Sequence, residues 1–539
     1  MDDGFAYPPY NSSLAIFPVM RMKLVPHQLM ELNSPFIWHW PWFVACVNAA
    51  KVHGFTGIIL HQQELLSLLA TPSPLSHRFD VENLIHQQNN ALQYLKKVST
   101  YLQENNLSFW LQGEAAPTDD IIRRKFPEFS FDEHSTPDFW QQFYSSILTR
   151  LLPLLPHLSG LILSLTTPQF QTVGWQQSLH HVWSLLRAQG KKLILRDFID
   201  TSWPRQQLSR VLSGLPDDVR ASIKATELDY HPGFANHPNI VALSGRKKWI
   251  EYDLWGIGYG WTILPCYLGD EIQGRLSWAT SLNDHNIETI TSRISWQWLP
   301  DGLTMDSANA INLFGLSAAN NTAPASVIDS WIEQQKLGFR SKSDRQRFSD
   351  LYTSSYDWLC KTPNLLGRRM HYQSQIPESY AQAQQLLHTD IRSANWVQAF
   401  QPLFPTDDPK LGADQRQLIG LEKESAQFLA TSAVQQLREL RITCQNDTLE
   451  RLEAAWRNAE MYGQLFSHVA FAVSDMQMSE HYGDTAQVLK TSTEHRETLL
   501  RFADTLERWA DSPPSGSPHY VSLLLNAERL REFAASLLR

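Results

Sequence analysis

From about residue 20 to 298 the chain alternates short apolar runs with longer segments in which apolar residues recur at helical spacing. That rhythm predicts repeated βα units and a parallel sheet. The expected strands are 22–25, 56–61, 107–112, 160–165, 192–198, 221–225, 248–254 and 290–296. Eight strands are what a closed barrel filled by branched apolar side chains requires. Between them, 36–52, 81–105 and 138–152 carry the helical period. From residue 328 onward the chain reads as helical almost throughout, with Pro363, Pro402, Pro405 and Pro409 as breaks. The expected fold class is α/β, a (β/α)8 TIM barrel followed by an all-helical C-terminal domain. The expected division is an N-terminal extension at 1–19, the barrel at 20–327 and the helical domain at 328–539.

Within that helical part, 447–475 opens on Asp447-x-x-Glu450, a pattern suited to a helix start. It sets Leu449, Leu452, Trp456, Ala459, Phe466 and Val473 near one stripe. Leu499, Phe502, Leu506 and Trp509 repeat the device. Such stripes pack helices on one another, with a homodimer interface as the alternative use. A Pro- and Ser-rich run at 512–517 reads as a loop before a last helix.

Composition narrows the function classes. A chain of 539 residues with 43% hydrophobic content can bury a large core. Lys+Arg 46 against Asp+Glu 55 is mildly acidic and offers no broad footprint for nucleic acid or an anionic membrane. The N-terminus carries acids where a secretory signal carries bases, and the apolar run 36–47 is too short to span a bilayer, so a cytoplasmic protein is expected. Cys46, Cys266, Cys360 and Cys444 are scattered without C-x-x-C spacing and read as reduced thiols. The 19 tryptophans suit stacking on sugar rings, but core packing is the simpler use of most of them.

The chemistry concentrates in 222–268. Lys224 and Glu227 lie on or just after the sixth strand, with Asp229 close behind. Glu251 and Asp253 share parity on the seventh, so both side chains turn to one side of the sheet. If that side is the interior, carboxylates and a cation meet at the barrel mouth. Glycoside hydrolysis needs paired carboxyl groups, one to activate water or attack the sugar and one to protonate the leaving oxygen. Arg196, ending the fifth strand, and Lys224 supply positive charge for a substrate carboxylate or hydroxyl. A buried ion-pair layer that only satisfies the barrel interior is the competing reading. His231 and His237 lack ligand spacing, so neither a metal nor another cofactor is expected.

Several blocks resemble the α-glucuronidases of glycoside hydrolase family 67. The run 223–229 is similar to that family's "IKNGPIDF", and Trp249-Ile250-Glu251-Tyr252 to its next strand. Leu193-Ile194-Leu195-Arg196-Asp197-Phe198 resembles its "VMWRAFVY", and 309–315 its passage from barrel to helical domain. The resemblance covers roughly 20–338; no domain of the kind preceding that family's barrel is expected before Met20. It implies that Asp229 belongs to the catalytic pair, that Arg196 and Lys224 contact substrate, and that Glu251 is a strand carboxylate other than the catalytic one. His27, taken to end the first strand, resembles a histidine of the family's "NHWDN" segment and becomes a candidate sugar ligand. Two departures stand out. The family's second active-site Glu corresponds to 256–258, where no acid occurs, and its proton-donating Glu follows the fourth strand, where this chain reads Thr166-Thr167-Pro168. A hydroxyl is no substitute for a carboxylic acid as proton donor at neutral pH. Glu114, Glu227, Glu251 and Asp253 are the candidates for a relocated acid. The expected function is therefore a glycoside-hydrolase-like protein acting on a uronic-acid-bearing or related oligosaccharide. The alternatives are a catalytically lapsed saccharide-binding relative and an interaction scaffold built on the helical domain.

Overall fold

A computed structural model describes residues 24–76, 78–127, 137–165, 172–197, 207–226, 230, 232–243, 245–254, 264–282, 286–294, 311–320, 327–388, 413–444, 446–517 and 519–538. Eight parallel strands close in sequence order: β1 (His27–Asn33), β2 (Gly57–His61), β3 (Ser108–Glu114), β4 (Leu158–Leu165), β5 (Lys192–Asp197), β6 (Arg220–Lys224), β7 (Lys248–Asp253) and β8 (Ile287–Arg293). The period of two sorts their side chains. Met30, Leu32, Ile58, Leu60, Phe109, Leu111, Leu161, Leu163, Leu193 and Leu195 point outward into the main core shared with the helices. Leu29, Ile59, Trp110, Ile162, Ile194 and Trp249 form a separate apolar cluster inside the barrel.

The interior cluster is a floor. Trp110 and Trp249 meet edge to face with ring centroids 4.8 Å apart, and their indole N–H groups donate to Ser108 Oγ and Glu288 Oε1. Room for Trp110 comes from Gly160, where a Cβ would lie 2.9 Å from the indole and 2.1 Å from the Lys192 carbonyl oxygen. These two tryptophans serve packing.

The first strand departs from expectation. It runs from His27 to Asn33; of the expected 22–25, residues 22 and 23 lie outside the described residues, and Leu24 and Val25 precede the strand, because Pro26 comes before it instead of ending it. The segment before it is tied elsewhere: Val25 N–H donates to Asn320 Oδ1 at 2.9 Å and the Asn320 amide donates back to the Val25 carbonyl. The eighth strand likewise begins three residues earlier than the pattern suggested.

Beyond β8 the described chain is helical, with Ile311–Ala319, Val327–Gln334, Lys342–Lys361, Tyr380–His388, Ala413–Thr443, Asp447–Tyr482, Thr485–Asp511 and Ala527–Ala535. A short antiparallel pair, Asn364–Leu365 with Arg368–Arg369, interrupts them. Leu449, Leu452, Trp456, Ala459, Phe466, Val473, Leu499, Phe502 and Leu506 are buried within the chain itself, so the stripes pack helix on helix. Asn446, not Asp447, caps the longest helix, its side chain accepting from Thr448 N–H at 2.8 Å, while Asp447 and Glu450 lie in the first turn. The helices grip the barrel through polar bonds as well: Ser355 Oγ accepts from Tyr267 N–H, and Asn312 accepts from Leu268 N–H and donates to the Cys266 carbonyl. None of the four cysteines forms a disulfide, and all are buried. Among the described residues no helix is long and apolar enough to cross a membrane.

Candidate functional site

One step above the tryptophan floor, toward the C-terminal ends of the strands, the inward positions turn from apolar to polar. That end of a (β/α)8 barrel is where such proteins place their chemistry. The layer holds Glu31, His61, Gln112, Ser164, Arg196, Ser222, Glu251 and Thr291, all buried, with Lys224, Asp253 and Arg293 nearer the mouth. Strand register brings Lys224 opposite Glu251, and Asp253 opposite Arg293.

Glu31, Arg196, Glu251, Asp253 and Arg293 each have a charged or ionisable partner in this layer. Arg196 Nε donates to both Glu251 oxygens, at 3.0 and 2.9 Å, and Ser222 Oγ donates to Glu251 Oε1 at 2.6 Å. The Arg196 guanidinium also reaches Ser164 Oγ at 3.4 Å. Arg293 is ion-paired with Asp253. Glu31 Oε1 lies 2.7 Å from His61 Nδ1, and the Asn33 and Gln112 amide nitrogens stand 2.9 and 3.1 Å from the same nitrogen. Burial by itself would raise the Glu31 carboxyl, but the His61 hydrogen bond and the charges of His61, Arg196 and Arg293 outweigh it and hold the group far below the usual carboxylate range.

Asp197, the next residue on β5, behaves oppositely. Burial pushes its carboxyl up to about 7; the hydrogen bond from Asn239 Nδ2, 2.7 Å from Oδ2, resists the rise, Glu251 adds to it and Arg196 opposes it. His237 Nε2 lies 3.5 Å from the same oxygen.

Of the residues singled out from sequence, Arg196, Lys224, Glu251 and Asp253 meet at the barrel mouth. Glu114 joins them as a half-buried residue ending β3 opposite Ser164. Glu251 and Asp253 stand there as arginine-bound carboxylates. His27 does not join: it opens β1 instead of ending it and lies exposed at the opposite end of the barrel, because the strand starts later than its pattern suggested. Asp229, with Glu227, His231 and the positions 166–168 and 256–258, lies outside the described residues. Sequence reading passed over Glu31, His61 and Arg293. Each ends, or nearly ends, a strand with inward parity, a signal that depends on placing the strand boundaries to within one residue. Among the described residues no group of three or more His, Cys, Asp or Glu side chains is arranged to hold a metal ion.

No protein-family model matches the chain, and no curated protein matches it in sequence. Among solved structures it is similar to a GH138 enzyme targeting pectin rhamnogalacturonan II, with a TM-score of 0.62 at 10% identity over 92% of this chain. The chain spans 63% of that enzyme's length, less than two thirds. It also aligns with a mutant of an O-GlcNAc hydrolase from Thermobaculum terrenum over 95% of this chain and 94% of that one, at 10% identity and a TM-score of 0.43. The first likeness shows the fold, one that a glycoside hydrolase uses. The family-67 resemblance rests on its sequence blocks alone.

Proposed function

We propose that the barrel mouth is a saccharide site and that the protein is a glycoside-hydrolase-like protein, related to the α-glucuronidases, that acts on a uronic-acid-bearing or related oligosaccharide. The observation that carries this reading is the change from an apolar floor to a charged layer at the C-terminal ends of the strands, with Arg196, Lys224, Glu251 and Asp253 converging there. The structural neighbour targeting a pectic polysaccharide supports the substrate class, and the family-67 blocks support the acidic sugar. In this reading Lys224 engages the sugar carboxylate, Arg196 and Glu251 hold the rear of the site, Glu114 takes a hydroxyl at the rim, and Asp229 activates the attacking water. A neutral amide cannot take a proton from water, so Asp229→Asn should lower turnover of a glucuronic-acid-bearing oligosaccharide by about 10²–10⁴ while largely preserving binding. Unchanged turnover in that variant removes Asp229 from the mechanism.

A second reading has an observation of its own. Glu251 and Asp253 are each bound by an arginine and Glu31 by His61, which suits a lapsed enzyme that retains binding. Calorimetric binding without product release in the wild type is the result that selects it.

A further inference from the structure

The sequence offers no acid after β4, and Glu251 and Asp253 are occupied by arginines. Beside Glu114 at the rim, β2 ends on another side chain able to protonate a leaving oxygen. His61 points inward from the last position of that strand, in register with Asn33 of β1 and Gln112 of β3, and with Glu31 two residues back along β1. Its polar neighbours all stand at Nδ1: Glu31 Oε1 at 2.7 Å, and the amide nitrogens of Asn33 and Gln112 at 2.9 and 3.1 Å. Burial opposes ionisation of Glu31, but the His61 hydrogen bond and charge, with Arg196 and Arg293 behind them, hold it ionised; a carboxylate can only accept, so Nδ1–H serves Glu31 and the two amide nitrogens beside it do not donate to Nδ1. Among the described residues Nε2 has no hydrogen-bond partner, and the side chain keeps 8% of its accessible surface. A carboxylate that fixes one imidazole nitrogen and leaves the other toward a cleft is the arrangement that orients a histidine for proton transfer.

We propose that His61, oriented by Glu31, is the proton donor of the barrel mouth, delivering a proton from Nε2 to the departing glycosidic oxygen. The inference rests on the saccharide reading above. As water bonds to the anomeric carbon, its proton passes to the base of the site. The glycosidic C–O bond breaks, its electron pair stays on the departing oxygen, and that oxygen takes the Nε2 proton of the imidazolium. Neutral imidazole remains, with Nδ1–H on Glu31, until solvent returns a proton to His61 and removes one from the base. While charged, the imidazolium is balanced by the Glu31 carboxylate beside it.

The test compares two leaving groups on the full-length protein. A 4-nitrophenyl glucuronide departs without help from an acid, whereas a glucuronic-acid-bearing oligosaccharide needs its leaving oxygen protonated. His61→Asn, checked for folding by thermal melting, should lose about 10²–10⁴ in turnover of the oligosaccharide yet stay within about tenfold of wild type on the nitrophenyl substrate. Should that variant fail to fold, the wild type treated with diethyl pyrocarbonate substitutes for it. Peptide mass spectrometry should then find His61 modified, more slowly when the oligosaccharide is present, with the same split between substrates. An equal loss on both substrates, or a His61 that stays unmodified while exposed histidines react, overturns the proposal and leaves wild-type turnover, and hence the saccharide reading, intact. A wild type without turnover of either substrate overturns the hydrolase reading and the donor role together, and calorimetric binding of the oligosaccharide then separates a lapsed saccharide site from no saccharide site.

Discussion

Asp197 links the ionisation of one carboxyl to the folding of the barrel. Its folded-state value near 7 lies above the ordinary 3.8, with burial as the main cause. Below the ordinary value folded and unfolded chains both hold the proton. As pH rises the unfolded chain ionises first, so stability contributed by this group falls until pH passes the folded value. Asp197→Asn should therefore flatten the decline in melting temperature between about pH 4 and 7 and make the protein more stable than wild type above that window. Thermal melts of both proteins across the range check it, and parallel curves contradict it. Arg196 and Glu251 give a second residue-scale test. Removing one partner of a buried pair leaves the other uncompensated, at a cost of about 3–5 kcal/mol. Arg196→Met should show a loss of that order in urea unfolding, and Arg196→Met combined with Glu251→Leu should recover much of it. A double variant no better than the single one shows that the pair is not an energetic unit.

At the scale of elements, the strand termini decide what the barrel presents. The parity of Glu251 and Asp253 was legible because the stretch around them alternates cleanly, and Lys224 and Arg196 followed from strands placed correctly to within a residue or two. β1 was not legible. Its sequence, HQLMELN, puts Glu31 and Asn33 on the interior face, so it lacks the continuous apolar run of a buried parallel strand. That one misplacement hid Glu31 and assigned His27 to the wrong end of the barrel. The floor beneath the site was equally invisible, since the meeting of Trp110 with Trp249 depends on closure of the sheet. Gly160 is a point where that closure is tight. Gly160→Ala should cost at least the upper end of the usual ~1–3 kcal/mol for overpacking, because one of its contacts is backbone. A urea midpoint unchanged from wild type shows that β4 can shift to admit the methyl group.

For the whole molecule, Glu271 joins the barrel to the helices that follow it. Burial favours its protonated form, but Arg275, the Tyr356 hydroxyl and the Gly233 N–H prevail and keep the carboxyl below its usual range. Tyr230 and Arg275 donate to one oxygen at 2.9 Å each, Gly233 to the other at 2.7 Å, and Tyr356 reaches that second oxygen from the Lys342–Lys361 helix. With a continuous core and such a junction, the barrel and the helices should unfold in one calorimetric transition. Glu271→Gln should lower that transition or split it, whereas two separate transitions in the wild type contradict the integrated core. The helical period made the existence of these helices legible from sequence, but a junction assembled from Tyr230, Glu271 and Tyr356 is a property of the assembled chain. The most direct test of the central claim is calorimetric titration of the full chain with a glucuronic-acid-bearing oligosaccharide and with the same oligosaccharide lacking the acid. The account predicts preferential binding of the acidic sugar, with Lys224→Met erasing about 1.5–3 kcal/mol of that preference, the range for hydrogen bonds to charged groups. Equal or absent binding of both sugars, or a preference that survives Lys224→Met, contradicts it.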